Sequence, residues 1–434
     1  MQDQQNQDSA LETISQDQLD ALVTLHNRFL DGRLGGRRAM LKNTDLTGLT
    51  LQGQDLRQAD FMGCVMVGMN LSRANFQEAS LYACDLSNSN LNDTRFVRAD
   101  LRGARIENAM LQGADLEKAD LREGGISDAN NYNPGQAVNF RGANLSGAKL
   151  AGTAANNANF SDAILSGANI TKADFRGAQM EGGDLSNAEV DGAQLGGANL
   201  KSAILTGVKV DKLQKDAEID FSEAITDANI GRSVADLDKP LPTLIESHRN
   251  WVDSSGETGE QLDLSNMDLR SLETLKMEKM TAIRAVGAKF LGMNLYKIEL
   301  QSAVIDGSDF RNCDMEESDL RGSSFVGANF SHANMQGTDA SPLMFGAEGA
   351  SKRFSPCNFE NAKFRYTDLS NAQLKSAVFK NADLSYADLS GADLREADLT
   401  GANITGVKFD DAQTEGAKIP RADKPVFRMK ADTA

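Results

Sequence analysis

The chain has 434 residues, room for two or three domains, and carries 62 acidic against 45 basic residues for a net charge of -17. That balance argues against direct nucleic-acid binding, which needs a basic surface, and leaves a basic protein partner, a surface resembling nucleic acid, or simple solubility. Aromatics are 6% of the residues, with one tryptophan, Trp251, so the core must be narrow and built mainly from small and unbranched residues.

Residues 1–14 read as a polar, disordered tail. Met1 to Asp8 lacks the basic start and apolar stretch of a signal peptide. No apolar run approaches membrane-spanning length, so the expected location is the cytoplasm, without membrane contact. Four cysteines in a chain of this length do not read as a disulfide framework.

A helix follows. Leu22, Val23, His26, Phe29 and Leu30 fall at i, i+1, i+4, i+7 and i+8, one stripe of an amphipathic helix. Ser15 and Gln18 have the spacing of a capping box at its start.

From Leu41 to Ile126 an apolar residue recurs every five positions, eighteen times without an error. With this residue as i, position i−2 is mostly small (Ala59, Ala74, Ala99, Ala119) and i−1 is often Asp or Asn. The pattern breaks at 127–138, resumes one residue out of phase at Phe140, and runs to Val210. A third block starts at Leu264 and runs to Met335; after a second break at 341–356, a fourth runs from Phe359 to Ile419. There are about sixty repeats in all. Period five fits neither an α-helix nor a flat strand and predicts a coil that turns a corner at each repeat. Phenylalanines 20 apart (Phe76 and Phe96, Phe140 and Phe160, Phe290, Phe310 and Phe330, Phe359 and Phe379) predict four repeats per turn, with rings stacked along one side. Rungs about 4.8 Å apart then give a continuous narrow core.

Leu241 to Asp253 aligns with Leu19 to Asp31, pairing His248 with His26 and Trp251 with Phe29. The plan of helix, coil, interruption and coil occurs twice. It divides the chain into a first helix and coil at 15–230, a linker at 231–240 beside Pro240 and Pro242, a second helix and coil at 241–420, and a tail at 421–434. A solenoid has open ends with unpaired backbone groups, so each helix is expected to cap the first rung of its half.

The motif A-[D/N]-[L/F]-[S/T/R]-x, clearest in Ala387 to Ile404, resembles the pentapeptide-repeat family. The resemblance implies an all-β solenoid, here two tandem right-handed quadrilateral β-helices, with i and i−2 pointing inward. Two functions are expected. The repeat architecture, with no catalytic constellation, points to a non-enzymatic protein-binding or scaffold module. The resemblance implies the alternative, an acidic mimic of DNA that binds a DNA-processing enzyme such as a type II topoisomerase; a mimic requires one continuous acidic stripe.

All four cysteines, Cys64, Cys84, Cys313 and Cys357, occupy i−2, where cysteine stands in for alanine; a redox or soft-metal pair at Cys64 and Cys84 is the competing reading. His26 and His248, with Phe29 and Trp251, are expected to be structural cap residues. His332, at i+2, is expected on a solvated corner. No metal-binding, nucleophile-elbow or phosphate-loop motif occurs, so no catalytic residue, cofactor or metal is assigned. The interruptions are the candidate interaction loops: Tyr132 and Pro134 in the first, Leu343, Met344, Phe345, Lys352 and Arg353 in the second. Phe345, 20 residues after Phe325, is alternatively one more core ring. Each loop is alternatively no more than a tolerated bulge.

Overall fold

The computed structural model describes residues 11–124, 136–213, 218–272, 274–345 and 353–420. In chain order its named elements are β1 (Glu12–Thr13), α1 (Gln16–Leu30), β2 (Thr44–Asp45), α2 (Val210–Leu213), β3 (Arg232–Ser233), α3 (Leu241–Asp253), β4 (Met267–Asp268), β5 (Leu343–Phe345) and β6 (Arg353–Ser355). They fall into two compact units, residues 1–229 and 230–434.

Within each unit the repeat makes one side of a coil. Residue i is buried; the backbone then turns with positive φ at i+2, as at Asn88 (φ 59°), and the i−2 residue of the next repeat donates to the carbonyl of i, as Ala79 does to Phe76 at 3.0 Å. This is the φ pattern of a type II turn, and it recurs at every regular corner. Position i−1 pairs in parallel with the residue 20 further on: Asp60 with Ser80, Ser80 with Asp100, Asp100 with Asp120. Four sides therefore make one rung. The stacked rings follow: Phe76 and Phe96 lie 5.4 Å apart, Phe290 and Phe310 4.5 Å, Phe310 and Phe330 4.9 Å, Phe359 and Phe379 5.0 Å, all near-parallel and fully buried. Buried hydroxyls at i−2 are satisfied by one recurring bond to the carbonyl 23 residues earlier, as from Ser89 to Met66 (2.7 Å) and Thr94 to Leu71 (2.9 Å).

The helices sit against the first rungs. In α1, Ser15 and Gln18 form the expected capping box. Leu19 and Val23 are buried in the first core, and the Gln16 amide bonds both the carbonyl and the N–H of Thr50 at 2.9 Å. His26 Nδ1 accepts the backbone N–H of Ala39 at 3.1 Å, and Phe29 stacks on its ring. In α3, His248 Nδ1 accepts from Leu262 at 3.1 Å, Nε2 bonds the Thr281 carbonyl at 2.9 Å, and Trp251 stacks on the ring. The two histidines thus perform the same task, fastening a helix to the backbone of a coil.

Two expected boundaries are corrected. Residues 12–13 are not tail: Glu12–Thr13 pairs in parallel with Thr44–Asp45, supplying a strand to the open first rung. Residues 231–240 are not a free linker: Arg232–Ser233 pairs with Met267–Asp268, and Val234 and Leu237 pack on the second core. Both segments satisfy edge groups that an open coil end would leave unpaired. Residues 421–434 lie outside the described residues.

Replacing Phe310 with Ala removes a ring that stacks on both neighbours, and is expected to destabilise the second unit by about 3–5 kcal/mol in urea unfolding. Burial holds both imidazoles below their ordinary pKa, so the unfolded chain binds protons that the folded helices refuse. This stabilisation is complete above about pH 6.5 and is lost as pH falls below it. Thermal melts between pH 7 and 5 should show that loss, flattened in a His26→Gln/His248→Gln double variant.

Candidate functional site

Both interruptions are built the same way. In the first unit the register lengthens from 20 to 34 residues, Asp100 pairing with Asp120 but Arg105 with Asn139; in the second, Asp319 pairs with Asp339 but Ser324 with Asn358. Each insert is therefore 14 residues, one short of three repeats, which accounts for the shift in phase. Each leaves the coil immediately after a corner and returns as an antiparallel pair. Gly124 and Gln136 exchange backbone bonds of 3.0 and 2.9 Å; Leu343–Phe345 pairs with Arg353–Ser355, with Leu343 opposite Ser355. The paired residues are 12 apart in both cases.

Each hairpin base rests on a glycine corner of the preceding rung. A Cβ on Gly124 would come within 2.6 Å of the Arg102 carbonyl carbon, and a Cβ on Gly322 within 2.8 Å of Leu343 Cβ. Gly103 and Gly322 also hold φ of 68° and 70°, which a side chain tolerates poorly. Ser355 Oγ donates to the Gly322 carbonyl at 3.4 Å. The second hairpin is thereby held against the coil through Leu343 and Ser355.

Its other face is open. Met344 and Phe354 stand directly opposite each other across the two strands and are 57% and 64% exposed. Arg353 is also exposed. Phe354 was missed in the sequence: it stands five residues before Phe359, on the frame of the coil that follows, and only its pairing with Met344 makes it part of one patch. In the column of Phe325 the next ring is Phe359, stacked on it at 5.4 Å; the side chain of Phe345 lies outside the described residues. Tyr132, Pro134 and Lys352 lie outside the described residues.

The remaining candidates resolve as structure. Cys84 and Cys313 donate to the Phe61 and Phe290 carbonyls, and Cys64 to Leu41, the same bond that Ser89 and Thr94 make from i−2. Burial raises the pKa of all four thiols, so they stay protonated and unreactive. Among the described residues no group of His, Cys, Asp and Glu has a metal-binding arrangement. His332 stacks on Tyr366 at 5.0 Å rather than standing alone on its corner. A cleft of about 320 Å³ beside α3 contains His248, Arg249, Lys279 and Glu299. Both nitrogens of that imidazole are already bonded to backbone, and Arg249 is tied to Glu278 at 2.7 Å.

Charge on the coil faces is mixed within single repeats. An Asp at i−1 and an Arg at i+1 flank the inward residue and pair on the outside: Asp55 with Arg57, Asp120 with Arg122, Asp174 with Arg176, Asp319 with Arg321, Asp393 with Arg395, at 2.6–2.7 Å. Bonding to Arg176 and Arg395 holds the carboxyls of Asp174 and Asp393 below the usual range.

Two family models match the chain. One describes a pentapeptide repeat region and covers residues 54–130; the other describes pentapeptide repeats in eight copies and covers 139–182, 178–212, 308–341, 353–381 and 377–413. No curated protein matches. Among solved structures, the chain is similar to trypsin-treated QnrB1, a plasmid-mediated fluoroquinolone resistance protein (20% identity, 43% of this chain and 84% of that one, TM-score 0.27). It is also similar to HetL of the cyanobacterium Nostoc sp. strain PCC 7120, involved in heterocyst differentiation regulation (18%, 90% and 93%, TM-score 0.14). A third is a pentapeptide repeat protein from the Arabidopsis thaliana thylakoid lumen (28%, 32% and 68%, TM-score 0.18).

The glycine seat generates a direct test. Gly322→Val adds a side chain at positive φ beneath Leu343 and is expected to lift the hairpin, at a cost of about 1–3 kcal/mol. Limited proteolysis should then cut at 341–356 while the far-ultraviolet spectrum of the coil is retained.

Proposed function

Because the chain belongs to the pentapeptide-repeat family, we propose that it is a non-enzymatic, cytoplasmic protein-binding scaffold whose contact element is the second hairpin. In this reading the units are two right-handed quadrilateral β-helices, each closed at its start by α1 or α3, that serve as rigid mounts. The observation that carries the proposal is the exposed Met344–Phe354 pair on a hairpin fixed from below at Gly322. Large apolar side chains are ordinarily placed inside; an adjacent pair held outward on a rigid base has the composition of an interaction hot spot.

The DNA-mimic alternative draws on the net charge of -17 and on the family. The in-repeat Asp–Arg pairs weigh against it, since they interrupt the acidic columns that a mimic of a phosphate backbone requires.

The full chain and a Met344→Ser/Phe354→Ser double variant, immobilised in parallel in lysate of the native host, test the proposal. Both substitutions lie on the surface, so the fold and its melting temperature should be unchanged. The wild-type chain is expected to retain partners that the double variant loses. Identical retention by both would remove the hairpin as the contact element. A topoisomerase supercoiling assay is expected to show no effect; inhibition by the full chain would revive the mimic.

A further inference from the structure

We propose that the Leu343–Ser355 hairpin binds a short, extended, acidic peptide segment of its partner, with one apolar side chain of that segment set against Met344 and Phe354. The proposal rests on the reading of the hairpin as a protein contact and adds what kind of partner it takes.

Size sets the first limit. Directly opposite residues in an antiparallel pair share one face, with Cβ atoms about 4.5–5.5 Å apart. Met344 and Phe354 therefore make a single patch of two side chains. A stable contact between folded domains needs about 800 Å² from each partner. Two partly exposed side chains fall well short of that, and suit a single anchoring residue. The Met344 thioether is adaptable and the Phe354 ring is rigid, a pairing that accepts Leu, Ile, Phe or Met without demanding one shape.

Backbone geometry sets the second limit. Each strand of the hairpin is three residues long. Such strands present outer edges that an extended segment can join through main-chain bonds. In that conformation alternate side chains point the same way, so one anchor faces the patch while its immediate neighbours face away.

Charge decides the composition of those neighbours. The chain as a whole is strongly acidic, but the residue beside the patch is a cation, Arg353. Arg353 is exposed and adjoins Phe354, opposite Phe345. A carboxylate within two residues of the anchor finds a guanidinium there, which favours bidentate pairing. A membrane surface also fits an apolar patch with basic flanks, but the anionic lipid that would attract Arg353 repels a chain of net charge -17. The peptide is the better match.

The test uses the full chain and a displayed library of random twelve-residue peptides, with peptides that also bind the Met344→Ser/Phe354→Ser variant removed. Enriched peptides are expected to share one large apolar residue with Asp or Glu within two positions. A synthetic peptide of that consensus should lose about tenfold in affinity on the double variant, a hot-spot-sized effect. It should lose about threefold on Arg353→Ser, in line with an exposed ion pair. Absence of any enrichment dependent on Met344 and Phe354 overturns the proposal. Enriched peptides lacking carboxylates overturn its acidic component and leave the protein-binding reading intact. Phe354-dependent binding to phosphatidylserine vesicles, without peptide enrichment, reassigns the hairpin to membranes. Host partners lost by the double variant in the lysate experiment, but with no peptide enriched, would show that protein binding holds and only the segment chemistry fails.

Discussion

Everything in this molecule hangs on the parallel backbone pairing between residues 20 apart. Each rung supplies donors and acceptors to the next, so one repeat cannot drift without misaligning those above and below it. The register places like residues over like: phenylalanine on phenylalanine in the core, and small residues over small ones beside it. It also fixes which positions tolerate chemistry. A thiol or hydroxyl at i−2 is harmless where a carbonyl of the preceding rung accepts its hydrogen bond, 23 residues earlier within a coil and 37 across an insert.

The same regularity makes ends and interruptions the places where structure must be improvised. At the start of the first unit, Gln16 and the short strand Glu12–Thr13 satisfy groups that an absent earlier rung would have satisfied. In the second, Arg232–Ser233 supplies a strand in the same parallel sense. In both, a histidine ring presents an unprotonated nitrogen to a backbone N–H. A neutral imidazole suits this position because it accepts there without bringing a charge into the core.

The fold was largely legible in the sequence, since a period of five cannot be met by helix or flat strand, and since Phe290, Phe310 and Phe330 state the number of sides. The paired histidines were legible because two equivalent helices carry them at the same place. Less visible were features that depend on pairing across sequence. Glu12–Thr13 and Arg232–Ser233 are too short to show alternation, so only the open rung beside them reveals that they are strands. Phe354 keeps the spacing of the buried column that starts at Phe359, so the period alone would place it inside; its exposure shows only in the pairing with Met344. That arginines lie near enough to offset the Asp100 and Asp120 charges was legible; that the pairing is within one repeat, i−1 with i+1, shows only once the residue between them is seen to point inward.

The matched hairpin bases carry a consequence for how such chains diversify. Gly124 pairs with Gln136 and Leu343 with Ser355 across the same separation, over the same kind of glycine corner, and the coil resumes in the same phase after each. The tip sequences between those bases share almost nothing. The base therefore behaves as a socket of fixed gauge: a tip of the same length can be exchanged between units without disturbing a rung, so that recognition can evolve while the scaffold stays as it is.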